Sequence, residues 1–315
     1  MQILKNVSLA EYTTFKIGGF ARYFLIIKND EDLVRAMQFV DDKKLPYFVL
    51  GGGSNVLVGD DGYDGVVIKM DNKKIVVENC VIGVSVGTKL MDLVNFATEN
   101  GLTGLEWAAG IPGTVGGAVR GNAGAFGGCV ADNLLSLRVI CVSKLRGNLV
   151  EKKYCAKNCQ FKYRDSIFKH NNDIVVSVEF KLQKGDKKEI KKIVNQNLKT
   201  RKEKHPLEYP SAGCVFKNID LLSREIERRS SLSYSAGLLC FARNDKILAA
   251  KLIEDCNLKG KQIGGAMISE KHSNFIVNIG NAKAKDVLDL IDLVKKEVKN
   301  KFGVELGEEL GIMVN

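Results

Sequence analysis

The 315-residue chain is poor in histidine, proline and tryptophan, with three, four and one of each, and its aromatic residues amount to 7%. None of the eight cysteines (Cys80, Cys129, Cys141, Cys155, Cys159, Cys214, Cys240 and Cys256) forms a C-x-x-C pair or stands at zinc spacing from a histidine. No metal site is expected, and the thiols read as reduced and mostly buried. The longest apolar runs, such as Tyr23 to Ile27, fall far short of a membrane span. The segment Met1-Gln2-Ile3-Leu4-Lys5-Asn6 lacks the build of a signal peptide, so a cytoplasmic protein is expected. Tandem repeats and low-complexity tracts are absent too. Lysine and arginine exceed aspartate and glutamate, 47 against 37, for a formal charge of +10. The lysines are dispersed with few aromatics beside them, which argues against a nucleic-acid groove. Attraction of a polyanionic metabolite suits the charge better, beside the plainer alternative of a generally lysine-rich proteome.

What the chain does have is glycine, 31 residues of it, concentrated in two places. The longer stretch runs Gly104-Leu105-Glu106-Trp107-Ala108-Ala109-Gly110-Ile111-Pro112-Gly113-Thr114-Val115-Gly116-Gly117-Ala118 and resumes at Gly121-Asn122-Ala123-Gly124. A backbone without side chains can approach a flat ring or a diphosphate, and its N–H groups can donate to phosphate oxygens. Thr114 to Ala118 reads as a short helix whose N-terminus follows the glycine turn, a ready anion site. The shorter loop, Gly51-Gly52-Gly53-Ser54-Asn55, follows the apolar run Tyr47 to Leu50. It has neither G-x-G-x-x-G spacing nor a Walker lysine, so either loop alone could be a tight turn between strands. Together they suggest a dinucleotide held from two sides.

Periodicity predicts strands at 23–27, 47–50 and 66–68, with a helix after Asn29 or Asp30 that carries Leu33, Met37 and Val40. A hairpin is expected across Asn79. Thr88 is expected to cap a helix bearing Leu90, Leu93, Phe96 and Ala97. Strands at 135–142 and 149–153 should flank a turn at Arg146-Gly147-Asn148, followed by a strand at 174–182 and a basic helix at 187–204 with a solvated face. Pro206 and Pro210 read as an interdomain joint. Beyond it come helices at 247–255 and 284–302 and a strand at 274–279. Trp107 reads as core, and His205 and His272 have no partner visible in sequence.

Five segments then stand in one order: Gly51 to Asn55, Gly110 to Ala118, Asn122-Ala123-Gly124, Tyr163-Arg164-Asp165-Ser166 and Ser211-Ala212-Gly213-Cys214-Val215-Phe216-Lys217-Asn218. This combination resembles the UDP-N-acetylenolpyruvylglucosamine reductase family over nearly the whole chain, in its compact, type II-like form. The resemblance implies an α+β architecture: a vanillyl-alcohol-oxidase-type (PCMH-type) FAD-binding fold of two subdomains, 1–70 and 71–204, and a smaller α+β substrate-binding domain, 205–303. A C-terminal segment, 304–315, would return to the active site. It further implies non-covalent FAD, NADPH as co-substrate and UDP-N-acetylglucosamine enolpyruvate as substrate, in peptidoglycan precursor synthesis by a monomer without nucleic-acid or membrane partners.

By the same resemblance FAD would be held by Gly51, Gly52, Gly53, Ser54, Asn55, Gly110, Ile111, Pro112, Gly113, Thr114, Gly116, Gly117, Ala118, Asn122, Ala123 and Gly124. Tyr163, Lys204, Lys217 and Asn218 would meet the substrate. Hydride added to the β-carbon of an enol ether carboxylate drives charge onto the carboxylate, which needs a fixed cation and then a proton at the α-carbon. Arg164 stands at the polarising position; a guanidinium stays charged and donates two parallel hydrogen bonds. Cys214 stands where the family carries a serine proton donor. A thiol, with a reference pKa of about 8.5, is mostly protonated at neutral pH and a far stronger acid than an alcohol. The third catalytic position is a glutamate near the C-terminus. In Val304-Glu305-Leu306-Gly307-Glu308-Glu309-Leu310-Gly311 it aligns with Glu309, or with Glu308 if the register slips by one. The stretch between Asn218 and Lys246, with Glu225 to Arg229, departs from the compact family pattern and reads as a surface excursion. The alternatives are another FAD oxidoreductase of the same fold acting on a sugar or alcohol, and a non-catalytic nucleotide- or nucleic-acid-binding module. Flavin colour in the purified protein separates the last from the rest.

Overall fold

Three apolar runs near the N-terminus form the parallel core of a four-stranded sheet. Phe20–Ile27 lies beside Tyr63–Met70, with Tyr23 opposite Val66 and Ile27 opposite Met70. Tyr47–Leu50 flanks the other side of Tyr63–Met70 in parallel, and Gln2–Ser8 completes the order on the Phe20–Ile27 edge. Strands covered on both faces read as unbroken apolar runs, which is why they are visible in sequence. Gln2–Ser8 is mostly exposed and carries no such signal. The crossover is the helix Asp30–Lys43, capped by the Asn29 side chain, which accepts from Asp32 N–H at 2.8 Å. Leu33, Ala36, Met37 and Val40 are buried along one stripe.

Contacts within the computed structural model, which describes residues 1–142, 149–220, 242–243 and 246–314, divide the chain into two units. The first comprises Met1–Val7, Phe20–Gly53 and Tyr63–Glu203. Besides the parallel sheet it contains an antiparallel five-stranded sheet in the order Leu149–Cys155, Leu134–Val142, Ile174–Lys181, Val81–Ser85, Ile75–Glu78. Its hairpin turns at Asn79, whose left-handed φ of 55° suits a two-residue turn. One continuous core joins both sheets, from Leu25 and Val66 through Val84 to Val178 and Phe180. Trp107 belongs to it as expected, 6% exposed. The helix Leu90–Glu99 begins one residue later than predicted, at an N-cap of Lys89. Thr88 cannot cap it, because its carbonyl accepts from Val115 N–H and its hydroxyl is turned into the interior.

The second unit comprises Ser8–Gly19, Ser54–Gly62 and Lys204–Asn315. Its antiparallel sheet runs in the order Ser211–Cys214, Phe275–Asn278, Ala266–Ile268, Gln262–Ile263. The helix Ala284–Phe302 lies on it, burying Val287, Leu290, Ile291, Val294 and Val298 at helical spacing. The helix predicted from residue 247 starts at Ala249, since Ile247 pairs in a strand with Ile219 and Ala242. The two N-terminal insertions are integral here. Phe15 is fully buried in this core, and Thr14 Oγ1 donates to Ser211 O at 2.7 Å. Val56–Val58 pairs in parallel with Gly311–Met313. The predicted turn at 146–148 and the excursion around 225–229 lie outside the described residues, and among those described no helix is long and apolar enough to cross a membrane.

Asp60 caps the long helix from a distant loop, beside the local acceptor Asp286 on Lys283 N–H: its carboxylate accepts from Ala284 N–H at 2.8 Å and Lys285 N–H at 3.2 Å. Asp60→Ala is expected to lower the unfolding free energy by about 1 kcal/mol in urea titrations, with Asp60→Asn keeping most of it. Equal stability of the alanine variant would show that the helix start needs no cap from the distant loop.

Candidate active site

In the first unit the two glycine loops are packed backbone to backbone. A Cβ on Gly52 would sit 2.5 Å from Gly113 Cα, and one on Gly51 would sit 2.6 Å from Thr114 Oγ1. Gly113 itself has φ of 112°, which side chains rarely adopt. Neither loop could be built at this distance from other residues. Lys69, at the end of the strand Tyr63–Met70, donates its ammonium to Gly51 O, and burial pushes its pKa down. The longer loop is held from the basic helix Lys187–Lys204. Asn197 Nδ2 donates to Glu106 O at 2.9 Å and Arg201 Nε to Ala109 O at 2.8 Å. That helix face is thus more than a solvated one.

The short helix is Val115–Arg120. Its first N–H groups are already engaged, Val115 with Thr88 O at 2.9 Å and Gly116 with Val86 O at 3.0 Å. A ligand must therefore use what is left beside them. Gly117 is exposed, and Thr114 Oγ1 is buried with no hydrogen-bond partner among the described residues. A cavity of about 700 Å³ opens here, walled by Gly51, Thr114, Gly116 and Gly117 at one end and by Tyr47 and Phe168 beyond. An orphaned hydroxyl and bare backbone in a concave wall suit a phosphate carrying a flat ring. The remaining predicted residues of this loop shape the turns. Ile111 N–H returns to Ala108 O at 3.0 Å, Pro112 is exposed, Ala118 is core, and Ala123 N–H donates to Ala118 O at 2.8 Å. Gly124 pairs with Cys129.

Asn122 acts as a staple between segments: its Oδ1 accepts from Ala131 N–H at 3.1 Å and its Nδ2 donates to Lys162 O at 3.0 Å. Lys162 and Asp165 exchange both main-chain hydrogen bonds, at 3.1 and 3.2 Å, enclosing Tyr163 and Arg164 in a tight turn. Arg164 is forced to a left-handed φ of 55°, and its guanidinium lies 5.5 Å from the centre of the Tyr163 ring. Ser166 Oγ ties the turn to Arg120 O at 2.7 Å, at the end of the glycine helix. Burial works to raise the Asp165 pKa, but the His170 ring at 2.9 Å prevails and holds it below the usual range. Strained backbone in so many ties points to a side chain whose direction matters.

In the second unit the strand Ser211–Cys214 ends at Cys214, opposite Phe275, after a register break and Gly213 at φ of 79°. The C-terminal segment returns to the residues just after the thiol. Glu309 N–H donates to Val215 O at 2.8 Å and Lys217 N–H to Gly307 O at 2.8 Å, with Glu308 bridging to Phe216. Asn55 pins the same segment, its Nδ2 donating to Glu309 O at 3.1 Å and its carbonyl accepting from Gly311 N–H at 3.1 Å. Glu308, whose main chain bridges to Phe216, is ion-paired through its carboxylate with Lys295 on the long helix. Asn218 Oδ1 accepts from Ala249 N–H at 3.1 Å, at the start of a helix. Lys204, the last residue of the basic helix, is exposed. The two histidines are partners after all: their rings lie 5.6 Å apart and both face Phe275. Burial lowers the pKa of His272.

Four residues that organise these sites escape sequence reading: Lys69, Arg201, Lys295 and Asn274, the last of which bonds the backbone of Phe216. Only Lys69 leaves a trace, as a charge closing an apolar run. Gly52→Ala is expected to cost about 1–3 kcal/mol in urea titrations, because backbone must move. Gly117→Ala, whose Cβ would meet Thr114 Oγ1 at 3.8 Å, should be neutral or stabilising by up to about 1 kcal/mol in the same titration. Equal effects would mean that the close approach does not constrain the loop.

Residues 21–144 match the family model for an FAD binding domain, and residues 205–313 match that for the C-terminal domain of UDP-N-acetylenolpyruvoylglucosamine reductase. The reductase of Clostridium novyi is 42% identical over 99% of this chain and 92% of its own length. That of Caldanaerobacter subterraneus is 38% identical over 98% and 92%. The crystal structure of the Thermus caldophilus enzyme superposes with a TM-score of 0.77 at 34% identity, covering all of both chains. The α+β plan, with its flavin-binding fold and smaller α+β domain, agrees with that expected. Likeness of this extent, reaching both the glycine loops and the segments around Cys214 and Glu309, makes the chain a member of the UDP-N-acetylenolpyruvoylglucosamine reductase family.

Proposed function

We propose that the protein reduces UDP-N-acetylglucosamine enolpyruvate to UDP-N-acetylmuramate at the expense of NADPH, a step in making peptidoglycan precursors. The observation that carries the chemistry is the main-chain bond from Glu309 to Val215 at 2.8 Å, one residue beyond the Cys214 thiol. FAD, bound without a covalent link, supplies the hydride chemistry between NADPH and the enolpyruvyl β-carbon. The glycine cradle fits it: Gly51 to Asn55, Gly110 to Thr114, Gly116 to Ala118 and Asn122 to Gly124 are the holding segments, with the orphaned Thr114 hydroxyl as a phosphate donor. The ranges expected as flavin subdomains, 1–70 and 71–204, would serve that role without 8–19 and 54–62, which pack in the second unit; 205–303 would bind substrate, and 304–315 would bring back the acid. The reading carries with it a cytoplasmic monomer without nucleic-acid or membrane partners.

Arg164 receives the substrate carboxylate and stabilises the charge that hydride addition drives onto its oxygens. Its left-handed turn directs the guanidinium, and the Tyr163 ring supports it. The Cys214 thiol then gives its proton to the α-carbon, completing addition of hydride and proton across the double bond. Glu309 acts beside it, holding or returning that proton. Lys204, Lys217 and Asn218 take the uridine diphosphate end. With its Oδ1 engaged by Ala249, Asn218 offers its amide N–H groups, the right polarity for phosphate oxygens.

Anaerobic stopped flow separates the two half-reactions. Cys214→Ala and Glu309→Gln should be reduced by NADPH at the wild-type rate, while reoxidation by substrate falls by about 10²–10⁴-fold. Glu308→Gln should stay within a few-fold of wild type, since Glu308 is held by Lys295. Unchanged reoxidation in Cys214→Ala would take the thiol out of the mechanism, and the reverse order of the two glutamates would reassign the acid.

A further inference from the structure

We infer that Asn274 is the positioning residue for the proton-transfer end of the active site, an inference that rests on the roles proposed for Cys214 and Glu309. Asn274 is 4% exposed and directly precedes the strand Phe275–Asn278, against which the Cys214 strand is paired. The ladder between these strands breaks register between Ser211 and Cys214. The ladder resumes at Cys214, opposite Phe275, and the strand ends there, so regular sheet pairing does not fix the residues that follow the thiol. Asn274 substitutes for it. Its main-chain carbonyl accepts from Val215 N–H at 2.9 Å, its Oδ1 accepts from Phe216 N–H at 2.9 Å, and its Nδ2 donates to Phe216 O at 2.9 Å.

Three bonds to two consecutive residues set both the position and the rotation of the peptide unit joining them. That peptide's carbonyl, Val215 O, is the acceptor for Glu309 N–H. One clamp thus holds the residue after the thiol and the segment that carries Glu309. The chemistry of an amide is required. Alanine leaves a buried N–H and a buried carbonyl of Phe216 unpaired, since Val215 and Phe216 are each 2% exposed. Aspartate keeps the acceptor for Phe216 N–H, but when ionised it turns a second acceptor toward Phe216 O. Only a protonated aspartic acid reproduces the pattern of asparagine.

The test uses the flavin-loaded protein with Asn274→Ala and Asn274→Asp. NADPH should reduce the flavin of both at the wild-type rate, and reoxidation by substrate should fall by about 100-fold, the scale of a misplacement of about 1 Å. As pH is lowered, reoxidation by Asn274→Asp should recover relative to wild type, because the protonated carboxyl again donates to Phe216 O; Asn274→Ala should show no recovery. Independently of substrate, iodoacetamide labelling of Cys214 followed by peptide mass should differ from wild type by several-fold in Asn274→Ala, with labelling of exposed Cys155 unchanged. Wild-type reoxidation in Asn274→Ala would overturn the inference, as would equal losses in both half-reactions or unchanged Cys214 labelling. A wild-type protein that the substrate fails to reoxidise would sink the proposed reaction instead, and the labelling would then decide the inference by itself.

Discussion

The arrangement of the second unit around Cys214 depends on one main-chain hydrogen bond, from Glu309 N–H to Val215 O. A C-terminal tail is ordinarily a frayed end. Here it is fastened on two sides: Val215 and Lys217 hold Gly307 to Glu309 from the thiol strand, and Asn55 holds Glu309 and Gly311 from a loop 254 positions away from Glu309 in sequence. The pairing of Gly311–Met313 with Val56–Val58 extends the second attachment into a short parallel ladder. Parallel pairing of segments so distant closes a large loop and forms only when the core between them is in place. The segment 307–313 is therefore fastened as firmly as the strands it joins.

The first unit answers a different constraint, how closely two backbones can approach. Gly51 and Gly52 lie against Gly113 and Thr114 at distances that exclude any Cβ. The supports come from side chains on neighbouring elements, Lys69 on Gly51 O, Arg201 on Ala109 O and Asn197 on Glu106 O. Each caps a carbonyl that a glycine-rich turn would otherwise leave to water, and each stiffens a segment whose own side chains cannot pack. The strained turn at Arg164 is held by the same economy of means, through Asn122 and Ser166. Flexible residue types are rigid here because their surroundings over-determine them.

Much of the secondary structure was legible because its signals are local. The helix Asp30–Lys43 announces its cap and its stripe, and the strands around Tyr23, Val49 and Val67 are short runs bounded by turns. Where the reading slipped, a distant contact had overridden a local preference. Thr88 is a good capping residue, but its carbonyl is taken by Val115, so Lys89 occupies the cap. The helix expected from residue 247 lost its first two residues, with Ile247 taken into strand pairing with Ile219. His205 and His272, unpartnered on paper, meet over Phe275 because a sheet and the interdomain joint bring them together.

The amino-acid sequence by itself determined the family, the two glycine loops and the order of elements, since backbone freedom, apolar period and motif spacing are properties of adjacent residues. Only the tertiary structure decided that Glu308 pairs with Lys295, that Asp60 caps a helix starting at Ala284, and that Asn274 clamps Val215 and Phe216. These depend on polar contacts between residues 13 to 224 positions apart. Such partners are chosen by how the cores pack, which no local pattern of residues records.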